Sequence, residues 1–348
     1  MTTVHKTPVP TKLRKVFIRI LIVVCVFLAV AKVLFPGLSA IKTTGPFSFD
    51  SVVVQINDNS RLEAFLNDGS IRKLSLKVYY PTDKSIERNS CPLVVFSHGG
   101  ISVKTSNASL FEELASHGFV VASIAHPYHA LYASIDGKKV WIDRDYFQEL
   151  NMEDSNKDIA NSYMLYKKWM GIRMADINQV INTIIAETRQ PGNSFYSLIN
   201  PQNIGLAGHS LGGAAVLGTA RMRDDISAVI ALEAPYMYDI TGYSEDEFTW
   251  NTEPYKSAVM NVYSDTGYML IGNDNKYAQN ANYLYNNGKA INYHIPGSNH
   301  FTLTDLVRTS PALCKMLGGN YSKPGYETLE FINEISLEFL SQYMFPQT

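Results

Sequence analysis

A serine between glycines is the most chemically specific feature of this sequence. Residues 208–212 read GHSLG, follow an apolar run at 204–207 and precede a segment of small residues. Where a nucleophilic serine occupies a sharp strand-to-helix turn, its backbone is strained, and a side chain at Gly208 or Gly212 would collide with its neighbours. The turn also brings Ser210 to a helix N-terminus, whose dipole stabilises a developing negative charge. The motif therefore predicts Ser210 as a nucleophile.

A second glycine motif follows an earlier apolar run. Residues 96–100 (FSHGG) come directly after the apolar run at 93–95. In serine hydrolases with a strand–turn–helix nucleophile, such a loop supplies one backbone N–H to the oxyanion hole, and the residue after the nucleophile supplies another. The expected donors are Gly100, or Ile101 beside it, and Leu211. An ordinary turn at the end of a strand is the alternative interpretation of this loop.

The general base must be a histidine within hydrogen-bond reach of the serine. His300 stands in the loop GSNHF at 297–301, after the last short apolar run, and is the predicted base. His294 falls inside that run, where a packed structural role is expected. His209 is expected to point away from the nucleophile, and His98 to shape the glycine loop.

Two acids are candidates for holding the base in the right tautomer, by accepting a hydrogen bond from its second ring nitrogen. Glu233 and Asp265 each follow a short apolar run. Both lie between Ser210 and His300, and both therefore satisfy the chain order serine, acid, histidine. The residues alone leave the choice open.

The remaining pattern indicates the elements that must position these residues. Two segments, 51–57 and 74–80, partly alternate apolar and polar residues, as antiparallel edge strands do. Short apolar runs typical of strands buried on both faces occur at 93–96, 119–124, 204–207, 228–232, 258–263 and 290–295. Helical periodicity occurs at 109–117, 174–185 and 329–340. This alternation predicts an α/β fold, a mostly parallel central sheet with helices on both faces.

Residues 1–40 form a separate region. No Asp or Glu precedes position 50, and residues 16–35 make a span of 20 residues after a basic start, long enough to cross about 30 Å of hydrocarbon as a helix. These features predict a basic cytoplasmic tail and a signal anchor, with a catalytic domain at 41–348 outside the cytoplasm. A cleaved signal peptide, with a small-residue site ending at Ala31 or Ala40, would instead give a secreted protein.

Composition and charge argue against several other classes. The chain has 348 residues, of which 46% are hydrophobic and 18% charged, as in ordinary globular proteins. With a net charge of −2 the chain lacks the positive electrostatic field that attracts nucleic acid, so nucleic-acid binding is not expected. Three cysteines without Cys-x-x-Cys spacing argue against structural zinc, and Cys91 and Cys314 are expected to be separate packed thiols. No metal or organic cofactor is predicted, and nothing indicates the oligomeric state.

Two further blocks of sequence carry a resemblance to a known family. Residues 92–99 (PLVVFSHG) and 114–122 (LASHGFVVA), with the GHSLG turn, resemble the platelet-activating factor acetylhydrolase branch of the α/β-hydrolases, over roughly 74–300. The resemblance implies the α/β-hydrolase fold and a calcium-independent serine esterase acting on short or oxidised acyl chains of phospholipid-like esters. It also implies that the acid follows the earlier strand. That favours Glu233 over Asp265, although the family has Asp where this chain has Glu.

Two segments have no place in a minimal fold of this kind. Residues 127–173 are rich in Tyr and Trp and are expected either to form a cap over Ser210 or to pack on the body of the domain. Residues 236–255 are a candidate second lid. An aromatic lining suits lipid acyl chains, aryl esters and polyesters alike, so an aryl-ester or polyester hydrolase is an alternative within the same chemistry. A catalytically silent binding module on the same fold is the alternative from another class.

Overall fold

Eight strands form one central sheet in the computed structural model of the chain, which describes residues 11–37, 39–190, 192, 194–285 and 289–345. With two small hairpins included, the strands are β1 (Phe49–Leu62), β2 (Ile71–Pro81), β3 (Cys91–Ser97), β4 (Val120–Ala125), β5 (Tyr132–Ile135), β6 (Lys138–Trp141), β7 (Ile199–His209), β8 (Ile226–Leu232), β9 (Ile240–Tyr243), β10 (Phe248–Trp250), β11 (Ala258–Ser264) and β12 (Ala290–Ile295). The helices are α1 (Thr11–Leu34), α2 (Ala108–Ser116), α3 (Arg144–Met152), α4 (Ile159–Thr188), α5 (Leu211–Met222), α6 (Asp265–Leu270), α7 (Ala278–Tyr285), α8 (Leu306–Thr309), α9 (Pro311–Gly318) and α10 (Gly325–Met344).

The central sheet is mostly parallel. Its strand order is β1-β2-β4-β3-β7-β8-β11-β12. The pairs β1–β2 and β2–β4 are antiparallel, and every pair from β4 to β12 is parallel. The predicted fold class is therefore confirmed, and the two segments predicted as antiparallel strands do lie at one edge.

Helices cover both faces of this sheet. On one face α4 and α5 pack through apolar side chains such as Ile177 and Val216. On the other face α2 and α10 pack through side chains such as Phe111 and Ile332. Because neither face meets water, inner strands such as β3 and β4 are buried along their whole length and appear in the sequence as continuous apolar runs.

The carboxyl ends of the parallel strands meet at one edge of the sheet, where α/β folds bind their ligands. Ser210 directly follows β7, and Glu233 directly follows β8. His300 comes shortly after β12, at the start of a single 3₁₀ turn. The topology thus gathers three residues that are far apart in the sequence.

The N-terminal helix α1 stands apart from the core. Its portion Arg14–Leu34 is long and apolar enough to cross a membrane, and its most apolar window is not buried against the domain. The helix end touches the domain where the Ser310 hydroxyl donates to the Leu34 carbonyl. A cleavable signal sequence has similar length and composition, so α1 fits both predicted alternatives. Residues 1–10 of the basic tail, and Leu38 beside the second predicted cleavage site, lie outside the described residues.

Candidate active site

Ser210 occupies the turn between β7 and α5. Its backbone has φ 54° and ψ −127°, a conformation that non-glycine residues rarely adopt. The surrounding chain holds it there: the Ser210 N–H donates to the Leu232 carbonyl at 2.8 Å, and the Ser210 carbonyl accepts from Ala214 at 3.0 Å. The side chain is partly exposed, and its hydroxyl does not cap the helix. The hydroxyl is thereby left available at the N-terminus of α5.

The two outer glycines of the GHSLG turn lie against backbone. A Cβ atom built at Gly212 would be 2.0 Å from the Ser97 carbonyl oxygen. A Cβ atom at Gly208 would be 2.5 Å from the Gly212 carbonyl oxygen. Both distances are far below van der Waals contact. A side chain at Gly212 would therefore push the turn away from the end of β3, and one at Gly208 would push β7 away from the start of α5.

Glu233 is the acid that contacts His300. Its Oε1 atom lies 2.7 Å from His300 Nδ1, so that the imidazole donates to the carboxylate. The other oxygen accepts from the Ser264 backbone N–H at 2.9 Å and from the Ser264 hydroxyl. Glu233 has φ 48°, and a hydrogen bond from its N–H to the Val262 carbonyl at 2.7 Å maintains this strained backbone. The carboxylate is thus fixed at both of its oxygens.

The surroundings of the Glu233 side chain keep it ionised and leave room for its length. Burial alone would raise the pKa of the carboxyl, but the His300 imidazole and the two Ser264 donors outweigh it and hold the pKa of Glu233 below its usual value. Gly267, in the first turn of α6, makes room for the longer side chain. A Cβ atom at Gly267 would lie 2.5 Å from both Cγ and Cδ of Glu233.

Asp265, the alternative acid, contacts a different histidine. Its Oδ1 atom lies 2.8 Å from His294 Nε2, and its Oδ2 atom accepts from the Gly297 N–H at 2.8 Å. The ring of His294 stacks on Tyr268, with ring centroids 4.2 Å apart. Asp265 therefore fastens the loop that leads from β12 to His300. Within the described residues, no hydrogen bond joins it to His300 itself.

The loop after β3 lies beside the serine. A Cβ atom built at Gly99 would be 3.6 Å from Ser210 Cβ. Gly100 comes next in this loop, and its carbonyl accepts from the Tyr146 hydroxyl at 3.0 Å. Leu211 begins α5, where the first N–H groups have no partner within the helix. The predicted oxyanion donors, Gly100 and Leu211, thus belong to the two segments that border Ser210.

Two further histidines at this edge are buried and neutral. His98 Nδ1 lies 2.7 Å from the Gly99 carbonyl oxygen, so His98 braces the glycine loop as expected. The ring of His209 packs beside His300 with centroids 4.5 Å apart, because the loop after β12 folds across the end of β7. Burial lowers the pKa of His209 to about 3 and that of His98 well below the usual value.

Ser210 and His300 are brought to the same edge without a hydrogen bond between their side chains. Within the described residues, the His300 ring donates from Nδ1 to Glu233, and the His300 carbonyl accepts a hydrogen bond from His209 Nε2. Bonds of this kind commonly tighten only when a substrate is present.

The described residues also hold no group of three or more His, Cys, Asp or Glu side chains placed to bind a metal ion.

A second serine–histidine–aspartate chain lies inside the protein. The Ser97 hydroxyl is 2.8 Å from His126 Nε2, and His126 Nδ1 is 2.9 Å from Asp176 Oδ2. All three side chains are fully buried. Burial lowers the pKa of His126 to about 4, so this histidine stays neutral although it touches a carboxylate. No substrate can reach this chain of residues, so it is not an active site, although its residue types and contacts are those of a catalytic triad.

The two unassigned segments pack on the body of the domain. In 127–173, Tyr146, Tyr166 and Trp169 are buried, whereas Trp141 and Phe147 are exposed. Residues 236–255 carry the β9–β10 hairpin and lie against α4 and α5. Segment 127–173 also borders the site, since Leu150 Cδ1 would be 3.4 Å from a Cβ atom at Gly100.

Known proteins with similar sequences are esterases and acetylhydrolases. The family model of platelet-activating factor acetylhydrolase, isoform II, matches residues 74–345. The chain belongs to this family. It is 23% identical to the platelet-activating factor acetylhydrolase of Cavia porcellus over 274 residues, which cover 73% of this chain and 57% of that protein. It is 28% identical to Cutinase 1 of Thermobifida cellulosilytica over 190 residues, which cover 55% of this chain and 52% of that one.

The match thus spans about half the length of these two curated relatives. Among solved structures, a ferulic acid esterase from Streptomyces cinnamoneus is similar, with a TM-score of 0.61 and 16% identity, over 88% of this chain and 93% of that chain. At such identity the likeness concerns the fold, and it agrees with the α/β-hydrolase architecture.

Sequence reasoning on this acetylhydrolase family member missed three residues that touch the site. Ser264, which holds Glu233, could have been suspected because it ends an apolar run beside a candidate acid. Arg173 and Tyr146 both donate to the loop after β3. Arg173 lies in the middle of α4 and Tyr146 in the first turn of α3, and no motif in the sequence marks either of them.

Proposed function

We propose that this acetylhydrolase family member is a serine hydrolase of carboxylic esters, with Ser210, His300 and Glu233 as catalytic residues and the domain 41–348 as the catalytic unit. One observation carries the proposal: a buried carboxylate lies 2.7 Å from His300 Nδ1 at the sheet edge where Ser210 stands on a strained turn. A carboxylate in this position keeps Nε2 unprotonated, so that Nε2 can accept a proton from a serine hydroxyl. Family membership and the similarity to esterases support the same reaction class.

Each residue has one task in the proposed reaction. His300 takes the proton of Ser210 as the hydroxyl oxygen attacks the ester carbonyl, and Glu233 stabilises the imidazolium that forms. The imidazolium then gives its proton to the leaving alcohol, and an acyl group remains on Ser210. Water, deprotonated by the same imidazole, attacks the acyl carbonyl. The bond to Ser210 then breaks, the imidazolium returns the proton to the serine oxygen, and the carboxylic acid leaves.

We assign the developing oxyanion to two backbone donors, the N–H groups of Gly100 and Leu211. Donors fixed before the reaction stabilise negative charge where it appears, and the loss of one such donor typically lowers turnover about 10²- to 10³-fold. Gly208 and Gly212 have a steric role in this proposal. They allow the close backbone contacts that keep Leu211 and the loop after β3 together.

The proposed substrates are short-chain or oxidised acyl esters of phospholipid-like or other lipid alcohols. Membership of the acetylhydrolase family supports this class. Ile101, beside Gly100, is 42% exposed and offers an apolar surface at the site. Hydrolysis of aryl esters or polyesters is the second candidate, and the similarity to two Thermobifida cutinases favours it.

Fluorophosphonate labelling of the full chain in detergent micelles tests the reaction class. We expect the wild type to carry one adduct, on Ser210 and not on the buried Ser97, and to hydrolyse a short-chain aryl ester. Ser210→Ala should lose both properties while its thermal unfolding is unchanged. A folded wild type that neither reacts nor hydrolyses any ester would favour the silent binding module. Comparison of acetyl phospholipids, long-chain phospholipids and polyester films would then separate the two substrate classes.

We further propose that residues 1–40 anchor the enzyme to a membrane, with the catalytic domain on the extracytoplasmic side. The support is the length and apolar character of α1, together with the basic residues that precede its apolar span at 16–35. The intact mass of the mature chain tests this. An anchored chain retains residues 16–35 and stays in the membrane pellet after alkaline carbonate washing. A chain that begins after Ala31 or Ala40 would instead be secreted.

A further inference from the structure

Three successive carbonyl groups in the loop after β3 accept hydrogen bonds from one group of buried side chains. Arg173 Nη1 donates to the carbonyl of His98, and Arg173 Nη2 donates to that of Gly99 at 3.1 Å. The Tyr146 hydroxyl donates to the carbonyl of Gly100 at 3.0 Å. Arg173 comes from the middle of α4 and Tyr146 from the first turn of α3. Both donors belong to segment 127–173, for which the sequence left open a cap over Ser210 or packing on the body of the domain.

Arg173 is an unusual cation, because it is fully buried yet forms no ion pair with any carboxylate among the described residues. The other fully buried arginine, Arg72, pairs with both Glu63 and Asp176. Burial lowers the pKa of Arg173, as expected for a cation without a salt bridge. Burying an unpaired charge is costly. Its two terminal nitrogens, Nη1 and Nη2, donate to the two loop carbonyls instead.

The consequence for the loop follows from peptide geometry. In a trans peptide the C=O and the N–H point in opposite directions. When the carbonyls of residues 98, 99 and 100 are held toward Arg173 and Tyr146, the N–H groups of residues 99, 100 and 101 are turned the other way. The loop has Ser210 as a neighbour, with 3.6 Å between Ser210 Cβ and a Cβ atom built at Gly99.

We propose that Arg173 and Tyr146 are positioning residues for the oxyanion hole. They act through the loop carbonyls and fix the N–H of Gly100, or of Ile101 beside it, toward the carbonyl oxygen of the substrate. A cation bonded to the carbonyl side of a peptide also polarises that peptide and strengthens its N–H as a donor. This proposal rests on the serine hydrolase function proposed above. It gives segment 127–173 a role in the reaction besides its packing on the domain.

Tyr146→Phe is the sharpest variant, because it removes one hydroxyl and leaves the packing in place. The Tyr146 ring is fully buried and stacks on His129 with centroids 3.7 Å apart and planes 6° from parallel. The phenylalanine ring can keep that stack. Tyr236→Phe is the matched control. Its hydroxyl is also buried, and it bonds a neutral amide, that of Asn261, at 3.1 Å.

Ester turnover should separate positioning from mere stability. In the full chain we expect Tyr146→Phe to lower kcat roughly two- to tenfold with KM unchanged, as for the loss of one neutral hydrogen bond that matters only in the transition state. Arg173→Lys, which cannot hold two carbonyls in the same way, should lower kcat about 10²-fold. Tyr236→Phe should retain wild-type kcat and KM, whatever it does to thermal unfolding.

A trifluoromethyl ketone analogue of the ester adds a readout that a structural role would not move, because its adduct with the serine carries an oxyanion. Its affinity should fall in Tyr146→Phe by the same factor as kcat/KM, while the affinity for the carboxylic acid product stays constant. Equal kcat and equal inhibitor affinity in Tyr146→Phe and Tyr236→Phe would overturn the positioning role, even if Arg173→Lys fails to fold. A wild type that does not react with fluorophosphonate would instead overturn the serine hydrolase function.

Discussion

Replacing Glu233 by glutamine removes the charge beside His300 and keeps the shape of the side chain. In the native protein one carboxylate oxygen accepts from the N–H and hydroxyl of Ser264, and the other accepts from His300 Nδ1. The amide oxygen of glutamine must remain on the Ser264 side, because Ser264 offers a backbone donor that cannot be reversed. The amide NH2 then faces His300 Nδ1. This arrangement forces the ring proton onto Nε2, the nitrogen that has to accept from Ser210.

The size of the effect follows from the charge and from the tautomer. The Glu233 oxygen and the His300 nitrogen are 2.7 Å apart, which places the centres of the two delocalised charges about 4 Å apart. At an effective dielectric constant near 20, that pair contributes about 4 kcal/mol to the imidazolium that forms in the transition state. The corresponding loss in kcat is about 10³-fold. The wrong tautomer of His300 adds to this loss. In a serine protease triad, the equivalent exchange of aspartate for asparagine lowers kcat about 10⁴-fold.

Ester turnover and fluorophosphonate labelling rates of the full chain in detergent provide the assay, with thermal unfolding as the check on folding. Asp265→Asn is the control, because it is equally isosteric and lies one strand away. Its oxygen can still accept from Gly297, and His294 can change tautomer to suit the amide. We expect Asp265→Asn to stay within about threefold of wild type. Loss of about 10³-fold in Asp265→Asn with near-normal turnover in Glu233→Gln would refute the assignment of the acid.

Three further perturbations test other contacts. Gly267→Ala places a Cβ atom 2.5 Å from the Glu233 side chain, so kcat should fall about 10²-fold in a protein that still folds; unchanged kcat would show that the carboxylate needs no such space. Gly212→Ala places a Cβ atom 2.0 Å from the Ser97 carbonyl oxygen and should lower the free energy of unfolding by about 2 kcal/mol or more, measured by denaturant titration. The control is Gly171→Ala in α4, where the new Cβ atom meets no atom within 4 Å and the free energy of unfolding should stay the same or rise. The free energy of unfolding should also decrease as the pH falls from about 6.5 toward 4, because the unfolded chain then binds protons that the folded chain excludes. Each buried neutral histidine contributes about 1.4 kcal/mol per pH unit to this decrease. Equal denaturant midpoints at pH 7 and pH 5 would contradict the neutral state of His98, His126, His129 and His209.

Much of the architecture was predictable from the sequence because it is encoded locally. Buried parallel strands must be apolar on both faces, so each inner strand of the sheet appears as a short apolar run. The GHSLG turn can be recognised from the spacing of its glycines, since a Cβ atom at Gly208 would meet the Gly212 carbonyl four positions along the chain. His300 is marked by its place in the loop after the last strand. These features depend on neighbours in the chain and on the order of elements.

The choice between Glu233 and Asp265 shows what local information leaves open. Both acids follow adjacent parallel strands and precede His300, so chain order cannot distinguish them. The backbone decides which one reaches His300: Glu233 leaves β8 with φ 48° and projects toward His300, while Asp265 begins α6 and reaches back to His294 and Gly297. The extra methylene of glutamate fits because position 267 is glycine.

The fold class, the strained serine turn and the histidine after the last strand can be inferred from the sequence, because they depend on periodicity and on residue types within a few positions. Three other features emerge only when the chain is folded. They are the acid that meets His300, the buried chain of Ser97, His126 and Asp176, and the hold of Arg173 on the loop after β3. One cause applies to all three. These hydrogen bonds join groups 29 or more positions apart. They depend on how helices dock on the sheet and on which polar groups lose contact with water, and no local sequence pattern encodes either.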